Sequence, residues 1–390
     1  MNKKLLLAMV TLCLFGLNFS CQDELATENQ SNKTNSTETQ SSVVLSTKGV
    51  LNPAEFAKLL EQAKTQSSPL QLPQQAGQYD FDFELSAVDS STCSSTPFNV
   101  VTNKYNNLLV YSVLPYLTKE EEIGLLFDDY FIINQIAALE GVNADYFGEN
   151  GQYTAYLRSQ TRSLEKFWEM PGLISVRGQH TATLEDLDYI RYVYENYSDF
   201  TAEEIDMYVA MATYFNEVSD QVPENPFYAS DGFSSSSGII VIGDGIIQMM
   251  AEVGLQPELV WSAVLVHEWA HQIQFLNYEL WTDYPVPAFD DTPESTRMTE
   301  LEADFFTGYY LTHKRGGAFN WKRIEEVLIN FYNIGDCGFT SPGHHGTPTQ
   351  RLKASYEGYL AASRTLKNGH LPTQQRVHQA FLSIYSSIVE

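Results

Sequence analysis

Basic charge is scarce in this sequence. Across 390 residues, 23 lysines and arginines stand against 49 aspartates and glutamates, a formal balance of −26. A field of that sign opposes docking on phosphate backbones and on anionic headgroups, and no Lys/Arg cluster marks a basic pocket within it, so no nucleic-acid partner is expected. Cysteine is scarce too. Four are present, too few for a disulfide-stapled scaffold, and none lies at metal-binding spacing. No apolar run reaches the roughly 20 residues that a membrane-crossing helix needs, and no internal repeat is visible. What is abundant is core-forming material: 43 % of residues are apolar and 13 % aromatic, which excludes wholesale disorder.

The amino terminus carries an address. Lys3 and Lys4 precede an apolar stretch from Leu5 to Leu17, a charged n-region followed by an h-region of secretory length. Residues 1–20, ending in Ser20 before Cys21 with Leu17 upstream, resemble a bacterial lipoprotein signal peptide. That resemblance implies lipid on the Cys21 thiol and an anchor in the bacterial outer membrane. Asp23 and Glu24 resemble a surface-export tag, which leaves the cell surface and the periplasmic face as destinations. Plain secretion with a free Cys21 thiol is the alternative. Residues 21–48 are polar and nearly free of core formers, as in a flexible tether. Cys93 and Cys337 then remain, as one long-range disulfide or as two free thiols.

Hydrophobic periodicity makes the remainder an α+β body dominated by helices. Helical patterns cover 53–66, 106–141 with a break near Pro115 and Thr118, 153–170, 184–197 and 201–217, the last opened by a Thr201-Ala-Glu-Glu capping box. Residues 80–89 alternate acidic and apolar, as a surface strand or extended loop does. The texture changes at Val222 and Pro223, dividing a mainly helical region, 49–221, from a second region, 222–390. The second region opens with a Gly/Ser-rich loop (231–238) and the best short strand of the chain, IIVIG at 239–243. Helices follow at 246–253, 257–278, 297–314, 320–333, 349–366 and 372–388, with an irregular stretch at 282–296.

Chemistry concentrates on the helix at 257–278. In VLVHEWAHQIQF, His267 and His271 lie at i and i+4 and share one helical face, so both imidazoles can point at one ion. Glu268 is angled to reach a water on that ion without being the natural third ligand. One Zn2+ ion suits such a site, because it imposes no geometric preference and acidifies its water. The later helix supplies carboxylates in TELEADFF. Glu300 and Asp304 share a face, and Glu302 points the opposite way. This phase makes Glu300 the third ligand, Asp304 the carboxylate that holds a ligating histidine by its distal N–H, and Glu302 a solvent-facing residue.

HEWAH followed by ELEAD resembles the gluzincin class of zinc metallopeptidases, whose third ligand is the glutamate of E-x-x-x-D. The HHGTPTQR stretch, with His345, Gly346, Thr347 and Arg351, is closest to the putative neutral zinc metallopeptidase family. The likeness spans about residues 238–365 and departs at Trp269, where a small residue is usual. It implies a zincin-like core with a small sheet and an active-site helix in the 222–390 region. It also implies a peptide or protein substrate and Glu268 as general base. His345 is a candidate second catalytic residue stabilising an oxyanion, or else a helix cap near Pro348. Arg351 is expected to pair with an acid. IIVIG is a candidate cleft-edge strand for an extended substrate, or else a covered core strand. His180, His313, His370 and His378 lack ligand-spaced partners and read as surface residues. Two rival functions share these residues: a zinc hydrolase of some other amide or ester, and an inactive surface binding lipoprotein.

Overall fold

The computed structural model describes residues 79–81, 93, 95–113, 121–219, 221–290, 292–365 and 370–390. The leader, Cys21, the 21–48 tether, the helix expected at 53–66 and Thr118 lie outside the described residues. Within them the protein is α+β and predominantly helical, as the periodicity indicates.

Before residue 222 the helices are α1 (Pro97–Val113), α2 (Glu121–Glu140), α3 (Thr154–Trp168), α4 (Leu187–Tyr197) and α5 (Ala202–Val218). The capping box at α5 forms as its sequence indicates: Thr201 accepts from the Glu204 amide and Glu204 returns to the Thr201 amide. After residue 222 come α6 (Asp244–Glu252), α7 (Pro257–Asn277), α8 (Pro293–Thr312), α9 (Trp321–Asn333), α10 (Pro348–Thr365), α11 (Gln374–Leu382) and α12 (Tyr385–Val389). The single helix expected at 372–388 is therefore two, parted at Ser383 and Ile384.

Four strands form one sheet in the order β1 (Tyr79–Phe81), β3 (Gly232–Ser235), β4 (Ile239–Gly243), β2 (Ser175–Gln179). β3 is antiparallel to both β1 and β4, while β2 runs parallel to β4. Two expectations are corrected here. Residues 231–238 are not simply a loop, because Gly232–Ser235 is strand with every residue buried. IIVIG is not the sheet edge, because β4 is paired on both sides and its main-chain groups are already satisfied.

Two helices matter most for the site. α7 begins with proline in its first turn and is buried without interruption from Leu259 to Gln274. A helix apolar on all sides belongs inside a core. α8 is capped by Thr292, which accepts from the Ser295 amide, and is buried continuously from Met298 to Thr312. α10 lies against α8 so closely that a Cβ at Gly308 would stand 2.0 Å from the Ser355 carbonyl oxygen, and one at Gly358 2.1 Å from that of Phe305. Only glycine permits this approach.

The largest hydrophobic cluster takes Phe98, Phe147, Leu164 and Phe167 together with Ile240, Trp261, Phe305 and Phe381, so both sides of residue 222 build it. A second cluster fills the space among α2, α4 and α5 around Tyr130, Ile133, Val193 and Met211. Cys93 and Cys337 form a disulfide with Cα atoms 5.7 Å apart and 244 residues between them in sequence. Of the two readings of this pair, the bonded one holds. No helix among the described residues is long and apolar enough to cross a membrane.

Candidate metal centre

The helical phase of α7 and of α8 brings His267, His271 and Glu300 together. Nε2 of His267 lies 3.1 Å from Nε2 of His271 and 3.1 Å from Glu300 Oε2, and His271 Nε2 lies 3.1 Å from Glu300 Oε1. All three are buried, His267 to 2 % exposure and the others fully. Two imidazoles and one carboxylate converging from two helices can hold a metal ion. Burial pushes the Glu300 carboxyl up, but the two imidazoles together outweigh it and hold that carboxyl well below its usual range.

The charge inventory fits a cation. Glu268, Glu300, Glu302 and Asp304 are all fully buried, and Arg351 is the buried guanidinium among them. Arg351 Nε and Nη2 lie 2.8 and 2.9 Å from the two oxygens of Asp304, a bidentate pair, and Nη2 lies 3.3 Å from Glu300 Oε2. The expected partner of Arg351 is thus Asp304, reached across the close α8–α10 contact. Asp304 Oδ1 in turn lies 3.0 Å from His267 Nδ1, the nitrogen facing away from the triad.

Glu268 does not join the triad. Its carboxylate lies next to β3, where Ser234 Oγ is 2.9 Å from Oε2 and 2.8 Å from the Glu268 carbonyl oxygen. The side chain of Gln272, one turn further along α7, donates to the Ser235 carbonyl at 3.0 Å. β3 therefore fixes the approach of α7 to the sheet and holds Glu268 at the same time.

Glu302 contradicts its solvent-facing assignment. Its Oε2 accepts from Tyr284 Oη at 2.6 Å and Gln274 Nε2 at 3.0 Å, and its Oε1 lies 2.6 Å from His378 Nδ1. The physical reason is that α11 covers the α8 face that periodicity leaves to solvent. Three histidines are corrected likewise: His180, His313 and His378 are buried, and only His370 of that group is exposed. His378 stacks on Trp281 with ring centroids 4.0 Å apart, and its Nε2 lies 3.1 Å from Asp283. Burial lowers the pKa of His378, but Glu302 and Asp283 outweigh it, and the imidazole is raised above its ordinary value.

The HHGT loop is organised by Asp336. Its carboxylate lies 2.6 Å from His344 Nδ1, accepts from the His345 amide at 2.7 Å, and stands 3.5 Å from His345 Nδ1. Burial raises the Asp336 carboxyl, and the histidines overcome this to hold it below the ordinary carboxylate range. The loop lies near the site, since a Cβ at Gly346 would stand 3.1 Å from Leu301 Cδ2 and 3.6 Å from Arg351 Cγ. His345 does not cap α10. Thr347 does, accepting from the Gln350 amide while the Gln350 side chain accepts from its own.

Ser234, Gln274, Tyr284, Asp336 and His378 escape a reading of motif spacing. Gln274 alone carried a usable signal, three residues after a ligand-spaced histidine on the same helix. Two cavities, of about 350 and 600 Å³, lie away from the triad, one lined by Tyr278, Trp281 and Tyr284 and the other by Leu173, Arg177 and Tyr197. Comparison of the chain with profiles of known families, with curated proteins and with solved structures finds no significant match.

Proposed function

We propose that the protein is a zinc-dependent peptidase with His267, His271 and Glu300 as ligands and Glu268 as general base, built on a zincin-like core of the gluzincin kind. One observation carries this reading. Glu268, next to the ligand-spaced His267 in the chain, is a fully buried carboxylate that is not one of the three converging groups and is held by Ser234. A purely structural metal site needs no such neighbour. Two nitrogens and one oxygen suit zinc, and three protein ligands leave a position for water or substrate.

Zinc bound there would polarise a substrate carbonyl and acidify a water. This chain's own residues account for the rest. Glu268 takes the proton of the attacking water and delivers it to the leaving amine, while Ser234 keeps its carboxylate oriented. Asp304, clamped by Arg351, holds His267 in ring orientation. His345, tied to Asp336 next to α8, is a candidate for stabilising the oxyanion. The lipid at Cys21 would keep this body at a bacterial outer membrane, on the cell surface or periplasmic side, among peptide or protein substrates.

The test is Glu268→Gln measured for zinc content and peptide turnover on the same preparation. Zinc should stay at the wild-type level while turnover falls by about 10²–10⁴-fold. Wild-type turnover by Glu268→Gln would defeat the mechanism for any substrate. An intact peptide library beside a consumed non-peptide amide or ester would transfer the site to the other hydrolase class. Consumption of neither, with ligand variants changing only partner binding, would make the protein an inactive scaffold.

A further inference from the structure

The two histidines of the triad are braced differently. His267 leans on the Asp304–Arg351 pair. His271 Nδ1 lies 2.8 Å from the side-chain oxygen of Gln274, and the hydrogen-bond inventory around that amide leaves one consistent arrangement. Gln274 Nε2 faces the Thr299 carbonyl at 2.8 Å and Glu302 Oε2 at 3.0 Å. Both are acceptors only, so the nitrogen of the amide must point at them and its oxygen at His271. Nδ1 of His271 must then carry a proton, so that in the neutral imidazole the lone pair falls on Nε2, the atom facing Glu300 and His267.

Glu302 is itself held from the far side. His378 Nδ1 on α11 lies 2.6 Å from Glu302 Oε1, Tyr284 donates to Oε2 at 2.6 Å, and His378 Nε2 reaches the half-exposed Asp283 at 3.1 Å. The geometry points to Gln274, Glu302 and His378 as positioning residues: a buried chain running from α11 through α8 to α7 that sets the tautomer and ring orientation of His271 for metal binding. This inference rests on the triad being a metal site. α11, remote in sequence from every residue of the triad, thereby becomes part of the metal centre.

The experiment uses the full chain and Zn2+ alone, with affinity read by competition against a chromogenic chelator. Gln274→Leu should weaken zinc binding by about 10–100-fold, the range usual for outer-shell partners. His378→Leu should weaken it by a smaller factor, whereas His378→Asn, whose amide can still donate to Glu302, should bind nearly as the wild type does. Because the residues act in series, the double variant Gln274→Leu/His378→Leu should be no weaker than Gln274→Leu alone. Wild-type affinity in Gln274→Leu would overturn the proposal, and so would losses that add in full. Nitrogen chemical shifts of His271 in the metal-free wild type give an answer that needs no variant: Nδ1 should carry a proton, and a neutral ring protonated on Nε2 in place of Nδ1 would sink the idea. His267→Ala separates the two levels. If it binds zinc as the wild type does, the triad is not the metal site; if it loses zinc while Gln274→Leu does not, only the brace is wrong.

Discussion

Asp231 immediately precedes β3 and is 3 % exposed, with Gln179 Nε2 donating to its carboxylate at 2.5 Å. Burial pushes its carboxyl up to about 7, against the opposing hydrogen bonds of Gln179 and Gln135. The native protein therefore holds this proton more tightly than the unfolded chain, where the value is 3.8. The stabilisation is fully present below about pH 4, declines as pH rises, and is lost once pH passes about 7. Over that window the gap corresponds to about 4 kcal/mol as an upper figure. Asp231→Asn, which stays neutral, should match the wild type in denaturant unfolding at pH 4 and exceed it at pH 8. Equal stability of the two at both pH values would show that Asp231 ionises in the native protein as freely as in the unfolded chain.

Among the elements, α5 offers the plainest test, since its Thr201 cap is visible both in the sequence and in the reciprocal bonds with Glu204. Thr201→Ala should cost about 1 kcal/mol in denaturant unfolding. A null effect would mean that the first turn of α5 is held by packing alone. Caps and 3.6-residue periodicity made most helices legible, and phase on two helices was enough to bring His267, His271, Glu300 and Asp304 into one place. Other parts were illegible for specific reasons. β3 is Phe233 and serines after a glycine, so no alternation marks it, and its burial comes from α7 pressing on it. β2 is SVRGQ, with too few apolar residues to signal a strand that gains its place by parallel pairing with β4. Glu302 was misplaced because helical phase gives direction but not what lies in that direction. On α8 every direction from Met298 to Thr312 is occupied.

For the whole molecule, the core and the sheet join what the composition divides at residue 222. β2 comes from before it and β4 from after, and Phe98 and Leu164 share a cluster with the residues that carry α7 and α8. The Cys93–Cys337 bond adds a covalent link across the same boundary. In the loop-entropy view, closing a loop of that length stabilises the native state by about 5 kcal/mol as an upper figure. Reduction should accordingly lower the unfolding midpoint of the full chain, and an unchanged midpoint would show that native strain or residual unfolded structure cancels the gain.

That bond also changes what a cut means. The chain between the two cysteines is a covalent ring, and both ligand-bearing helices, together with the partly exposed segment 282–290 that separates them, lie on its circumference. A ring opened once is still one molecule. Nicking within 282–290 should yield a species that runs as a single band without reductant and as two with it, and that keeps His267 and His271 on one piece opposite Glu300 on the other. Two bands in the absence of reductant would show that the ring was never closed. Such a topology would let the protein survive a cut between the residues of its candidate metal centre as two chains joined by one bond.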